Sequence, residues 1–242
     1  MIFRLLFLFL TLFQGCTTTS EKSFFKEVDK NLFRGEYFYE TNEEESSILI
    51  FKLDPGSFNF EVLHREAQLL AEWSSDAEGI FLNGGFFDPE GKPTGFLVSD
   101  GKKIGKNIYD KDKSGTLIIE ENKIKIAEEF NENESFLHAL QNFPLLIKNG
   151  KNNIKKDSGK VARRTAVGTD QDGFFYIIIS NQGDLSLFAF AEVITKLPID
   201  FNMVLNLDGG SSTGIYVNLK KFKDRIFSFV PIPNILKITP KK

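Results

Sequence analysis

Three short segments of this chain combine residue types that can do chemistry. In VLNLDGGSSTG (204–214) an apolar run ends on Asp208, followed by Gly209 and Gly210 and then by Ser211, Ser212 and Thr213. Glycines in such a turn leave main-chain N–H groups open to a ligand and accept backbone angles that other residues avoid. A carboxylate, a nest of amides and adjoining hydroxyls suit an anionic or sugar ligand. They suit a tight Asp-Gly hairpin equally well. FLNGGFFDPEG (81–91) repeats the pattern: an apolar run, Asn83, then Gly84 and Gly85, with Asp88 beyond an aromatic pair. GKVARRTAVG (159–168) brings Arg163, Arg164 and Thr165 to the start of a strand. Tandem guanidiniums can offer a planar fork of donors to phosphate or carboxylate, or can simply edge a solvated strand.

The rest of the composition narrows that chemistry. In 242 residues there is a single cysteine, Cys16, and two histidines, His64 and His138. No disulfide can close within the chain, and a zinc site of the Cys- or His-rich kind lacks ligands. A Ser-His-Asp arrangement needs a histidine, and neither stands in a glycine-rich segment. His64 reads as a strand residue entering a charged turn, and His138 as part of a short helix. A net charge of −3 gives no footprint for nucleic acid or an anionic membrane surface. What remains is chemistry by carboxylates, arginines, amides and hydroxyls. Ca or Mg held by Asp208 and Asp88 is a further option.

Residues 1–15 read as a cleaved leader, in which Arg4 precedes an apolar stretch, 5–13, too short to span a bilayer. Gly15 before Cys16 resembles the junction of a bacterial lipoprotein signal. Cys16 is then the lipidated residue, 16–23 a polar tether, and 24–242 the folded domain. This places the protein in the bacterial cell envelope, lipid-anchored, on the outer membrane because Thr17 rather than an acid follows the cysteine. Without lipidation it is secreted.

Within 24–242 many segments alternate apolar and polar residues. GTLIIEENKIKIA (115–127) reads as a hairpin turning at 121–122, and 174–180 and 203–207 as strands. Helical spacing marks only 67–73, 136–141 and 187–197. The balance predicts an α+β fold: a single domain with a mixed, largely antiparallel sheet and a few helices. The 26 phenylalanines predict a core stacked with aromatic rings. The polar run 149–160 reads as a loop leading to the arginine pair.

Taken in order, NGGFFD (83–88), PTGFLVSDGK (93–102), FPLLIKNGK (143–151), RRTAVG (163–168) and LNLDGGSS (205–212) resemble the phosphodiester glycosidase family. The resemblance covers roughly residues 80–217 and implies an α+β fold. It implies hydrolysis of a sugar-1-phosphodiester, such as one of N-acetylglucosamine, at the anomeric carbon in cell-envelope or extracellular glycans. It implies catalytic roles for Asp208, Asp88 and Arg164, and substrate binding by Asn83, Gly84, Gly85, Arg163, Thr165, Gly209, Gly210, Ser211 and Ser212. The expected partners are a phosphoglycan or sugar phosphodiester and, through the lipid anchor, a membrane. Two other readings fit the same residues. One is a phosphoglycan-binding envelope lipoprotein without catalysis; the other is a metal-dependent phosphodiesterase in which water attacks phosphorus.

Overall fold

Alternation along the strand Phe175–Leu185 sends Phe175, Ile177 and Ile179 to one face and Tyr176 and Ile178 to the other, and all five are buried. A strand covered on both faces belongs at the centre of a layered fold. It pairs with Glu45–Leu53 on one side and Ala162–Asp170 on the other, within an eight-stranded sheet. In this computed structural model the described residues are 21–40, 45–74, 77–105, 114–121, 123–131 and 133–242. The leader and Cys16 lie outside them.

The described residues form three sheets around one main core. The second sheet runs in the order Lys223–Ile226, Ile215–Asn218, Gly79–Asn83, Ile232–Pro240, Phe58–Gln68. The third runs Lys102–Ile104, Leu97–Ser99, His138–Asn142, Gly115–Glu120, Lys123–Ala127. Phe175, Ile177 and Val167 of the large sheet meet Phe60, Leu82 and Leu236 of the second and Leu97, Leu117 and Leu140 of the third. Aromatic rings do cross this core, as Phe60 and Phe175 do edge to face at 5.1 Å. The opposite face of the large sheet is covered by the helix Leu187–Thr195, which buries Phe190, Ala191, Val193 and Ile194. Ser186 starts that helix by accepting the Ala189 N–H at 3.1 Å. At the N-terminal side, the one-turn helix Glu21–Phe24 leads in, with Glu21 ion-paired to Lys52.

The fold is mainly β. The α+β expectation fits only loosely, while its largely antiparallel pairing holds: every pairing among the described residues is antiparallel. The 115–127 hairpin and the 187–197 helix form as the sequence predicts. The expected helix at 136–141 does not form. Phe136, Ala139 and Leu140 have helical spacing, yet His138–Asn142 is a central strand whose five residues are all buried. Burial on both faces erases the alternation that identifies a strand, and a short apolar run then looks the same in either state. His138 is structural: it accepts the Asp100 N–H at 3.1 Å, and burial lowers its pKa. The helix expected at 67–73 is shorter, Leu70–Ser74, because the preceding strand runs on to Gln68. There Trp73 is core, its indole N–H donating to the Ile232 carbonyl at 2.9 Å.

Candidate active site

Asn83 ends the strand Gly79–Asn83, and its amide ties three distant segments together. Nδ2 donates to the Asp208 carbonyl at 2.7 Å, while Oδ1 accepts from Thr165 Oγ1 at 2.8 Å and from the Gly214 N–H at 3.1 Å. Asp208 N–H returns a bond to the Gly84 carbonyl at 3.1 Å. The second sheet is thereby locked to the large sheet and to both ends of the Asp208 turn. With its oxygen holding two buried donors and its Nδ2 held by the Asp208 carbonyl, Asn83 positions the turn.

The glycines answer to close approach. A Cβ on Gly84 would stand 2.2 Å from Asn234 Oδ1, so no side chain fits there. Asn234 in turn accepts the Gly85 N–H at 2.6 Å and donates to its carbonyl at 3.2 Å. Gly84 and Gly85 therefore serve the packing of the turn, with their polar groups held by protein. Gly210 differs: φ is +60°, and nothing lies within 4 Å of where its Cβ would be. The short turn Gly210–Ser212 thus presents bare main chain to an open space.

Asp208 lies in that turn. One carboxylate oxygen accepts the Gly209 N–H at 2.8 Å, and the Ser212 hydroxyl also bonds the carboxylate. Burial pushes its pKa above the usual carboxylate value, against the smaller lowering effects of Ser212 and Gly209. Ser212 is buried beneath the turn, whereas Ser211 is exposed and its carbonyl accepts the Phe229 N–H at 2.7 Å.

Adjacent strand residues point to opposite sides, and the arginine pair obeys this instead of forming one fork. Arg163 reaches Asn181 Oδ1 through Nε at 3.1 Å and Nη2 at 2.8 Å, and the Phe227 carbonyl through Nη2 at 2.9 Å. Arg164 reaches the carbonyls of Leu185 at 3.0 Å and Lys160 at 2.6 Å, which anchors the 149–160 loop at its end. Burial lowers the pKa of both. The strands Ala162–Asp170 and Phe201–Asn206 pair Ala166 with Asn206, and the Leu207 N–H still bonds the Thr165 carbonyl at 2.8 Å. Counting on, Arg164 leaves the ladder across from Asp208, while a Cβ on Gly209 would stand 2.9 Å from the Arg163 carbonyl. The main chain of Arg163 thus packs directly against the Asp208–Gly209 turn, while the Arg164 guanidinium is held by the Leu185 and Lys160 carbonyls.

Asp88 is not brought into this group. Its Oδ1 accepts the N–H groups of Glu90 at 3.0 Å and Lys92 at 2.9 Å, which closes its own loop. Among the described residues no set of three or more His, Cys, Asp or Glu gathers around a possible metal position.

Sequence reasoning missed several neighbours. Asn142 holds the Phe86 N–H at 3.3 Å, and Asn206 donates to the Phe143 carbonyl at 3.0 Å. Arg163 Nη1, Asn142 Nδ2, Asn206 Oδ1 and Thr213 Oγ1 are buried without a hydrogen-bond partner among the described residues. Buried polar atoms are rarely left unpaired, and two of these residues, Arg163 and Thr213, adjoin Gly209 of the turn. Asn142 and Asn206 carried a readable signal, since Asn142 adjoins FPLLIKNGK and Asn206 lies within LNLDGGSS. Asn181 and Phe229 carried none.

The fold resembles that of the catalytic domain of zebrafish N-acetylglucosamine-1-phosphodiester alpha-N-acetylglucosaminidase, auto-inhibited by its pro-peptide. The TM-score is 0.69 at 16% identity, covering 88% of this chain and 85% of that one. A hypothetical protein from Synechocystis follows with a TM-score of 0.62 at 14% identity, covering 87% and 62% of the two chains. A putative exported protein from Burkholderia pseudomallei gives 0.53 at 11% identity, covering 81% and 74%. At these identities the likeness speaks for the fold. No curated protein sequence matches the chain. The family model described as phosphodiester glycosidase matches residues 78–239, which include the Asn83 hub, the arginine pair and the Asp208 turn. The chain belongs to the phosphodiester glycosidase family.

Proposed function

We propose that this protein hydrolyses a sugar-1-phosphodiester of the N-acetylglucosamine type at its anomeric carbon, in a cell-envelope or extracellular glycan. The observation that carries the reading is Asp208: a carboxylate held by the Gly209 N–H in a glycine turn whose next residue, Gly210, faces open space. In the reaction the C1–O bond breaks, a water oxygen joins C1, and the phosphate leaves as a monoester. A phosphomonoester is a weak base, so its departure needs little proton donation and much charge neutralisation, which Arg164 supplies with Arg163. Asp208 faces the oxocarbenium-like carbon as nucleophile or as base for water. Gly209, Gly210, Ser211 and Ser212 position the phosphate and sugar hydroxyls.

Products test the reading. Incubation with a GlcNAc-1-phosphodiester is expected to release free GlcNAc and a phosphomonoester. Release of GlcNAc-1-phosphate instead would transfer the attack to phosphorus, and no release would leave a binding protein. Arg164→Lys is expected to lower kcat/KM about 10²-fold, because an ammonium cannot hold two carbonyls in the guanidinium plane and still face an anion.

The same proposal extends to the leader: Cys16 is lipidated and the domain works on the outer face of a bacterial membrane. Cys16→Ser is then expected to move the protein from the membrane fraction to the soluble one. Unaltered fractionation would count against the anchor.

A further inference from the structure

Arg163 is a buried cation without a counter-charge. It is 8% exposed, and no carboxylate of the described residues lies within ion-pairing reach of it. Its hydrogen bonds go to neutral acceptors, the Asn181 side chain and the Phe227 carbonyl, which orient the guanidinium but do not neutralise it. Nη1 is left buried with no acceptor. Leaving a charge desolvated and unpaired is costly, and the usual remedy is an anion that arrives with the ligand.

The surroundings of Arg163 are apolar in an unusual way. The Phe229 ring lies 4.3 Å from its guanidinium carbon and is 70% exposed, and Phe227 is 55% exposed. A second guanidinium, Arg225, lies 4.9 Å over the Phe227 ring. Behind Phe227 opens a cavity of about 160 Å³ walled by Leu70, Ile215, Tyr216, Ile226 and Arg225. A cavity of about 150 Å³ is enough for a benzene ring. Phe227 joins the two features, since its carbonyl holds Arg163 while its ring lines the cavity. Two large exposed rings held by arginines, next to a mostly apolar cavity, form a surface that gains by being covered.

We infer, resting on the glycosidase reading above, that Arg163 holds the substrate phosphate from its alcohol side and that this alcohol is apolar, seated on Phe229 and in the cavity beside Phe227. The Asp208–Gly209 turn, against which the Arg163 carbonyl packs, then stands on the sugar side of the same phosphate. The substrate class is a sugar phosphodiester of an apolar alcohol, such as an aryl or acyl-chain ester.

The test uses benzyl phosphate and methyl phosphate as calorimetric ligands, and the benzyl and methyl diesters of GlcNAc-1-phosphate as substrates. Benzyl phosphate is expected to bind about tenfold tighter than methyl phosphate, the size of one well-placed aromatic contact. Phe229→Ala is expected to erase most of that preference, and Arg163→Gln to weaken both ligands. The benzyl diester is expected to show the lower KM by a similar factor. Equal binding of the two phosphates, or a preference that survives Phe229→Ala, overturns the apolar subsite even when both diesters are hydrolysed. Preferential benzyl phosphate binding with no hydrolysis of either diester keeps the subsite and overturns the glycosidase reading. No binding of either phosphate overturns the role of Arg163.

Discussion

Asp208→Asn is expected to lower kcat about 10²–10⁴-fold, the range that a positioned acid–base group supplies, and to leave the protein no less stable at pH 7. The substitution removes charge but little volume. The Asn oxygen can still accept the Gly209 N–H at the position the carboxylate occupies, and the Asn amide can donate to Ser212. The stability half follows from the direction of the pKa. Burial raises Asp208 above its unfolded value, so the folded state favours the protonated form. That contribution to stability is fully present below the unfolded carboxylate range and is lost as pH rises through the raised folded value. At neutral pH the wild type therefore carries an unfavourable buried charge that the variant lacks. The melting temperature of Asp208→Asn should equal or exceed that of the wild type at pH 7, with the gap closing toward pH 3. For activity the sign is opposite: the carboxylate must be ionised, so the acid limb of the pH–rate profile should lie above the ordinary carboxylate range. A variant with full activity would move the catalytic role away from Asp208, and a marked drop in melting temperature would show that its charge is stabilising.

Asn83→Ala is expected to be the most destabilising single change in the site, by about 3 kcal/mol or more, because it strands three partners, two of them buried, at about 1–3 kcal/mol each. Thr165 Oγ1, the Gly214 N–H and the Asp208 carbonyl all lose their bonds to this one side chain. Domains are commonly stable by about 5–15 kcal/mol, so the variant should unfold at much lower urea concentration, or fail to accumulate. Ser211→Ala, at an exposed position of the same turn, is the control and should stay within about 0.5 kcal/mol of the wild type. A loss of under 1 kcal/mol for Asn83→Ala would mean that the three segments are held together elsewhere.

Much of this molecule was legible because the chain marks its breaks. Asn-Gly-Gly and Asp-Gly-Gly interrupt apolar runs, and the structure ends one strand at Asn83 and another at Asn206, just before Asp208 and the turn Gly210–Ser212. The helix Leu187–Thr195 announced itself through its helical spacing, which leaves one face covered. Strand His138–Asn142 did not, because burial on both sides removed its periodicity. Side-chain roles were less legible than positions. Asn83 looked like a ligand for sugar because an amide after a strand faces outward as often as inward; the Thr165 and Gly214 donors that turned it inward lie 82 and 131 residues away. Asp88 resembled Asp208 in context, yet two N–H groups of its own loop claim it. The arginines looked like one fork only while the opposite projection of strand neighbours was left aside.

The Asn83 amide also decides when this protein can act. Its partners stand far apart in the chain, with Asp208 125 residues downstream, so no early-folding hairpin contains any usable part of the site. Contacts of such long span close late in folding, after the entropy of the intervening loops has been overcome. A chain cut anywhere between Asn83 and Asp208 and allowed to separate cannot assemble this site. The site exists only in the finished architecture, and under the proposed function an assay for hydrolysis would double as an assay for complete folding.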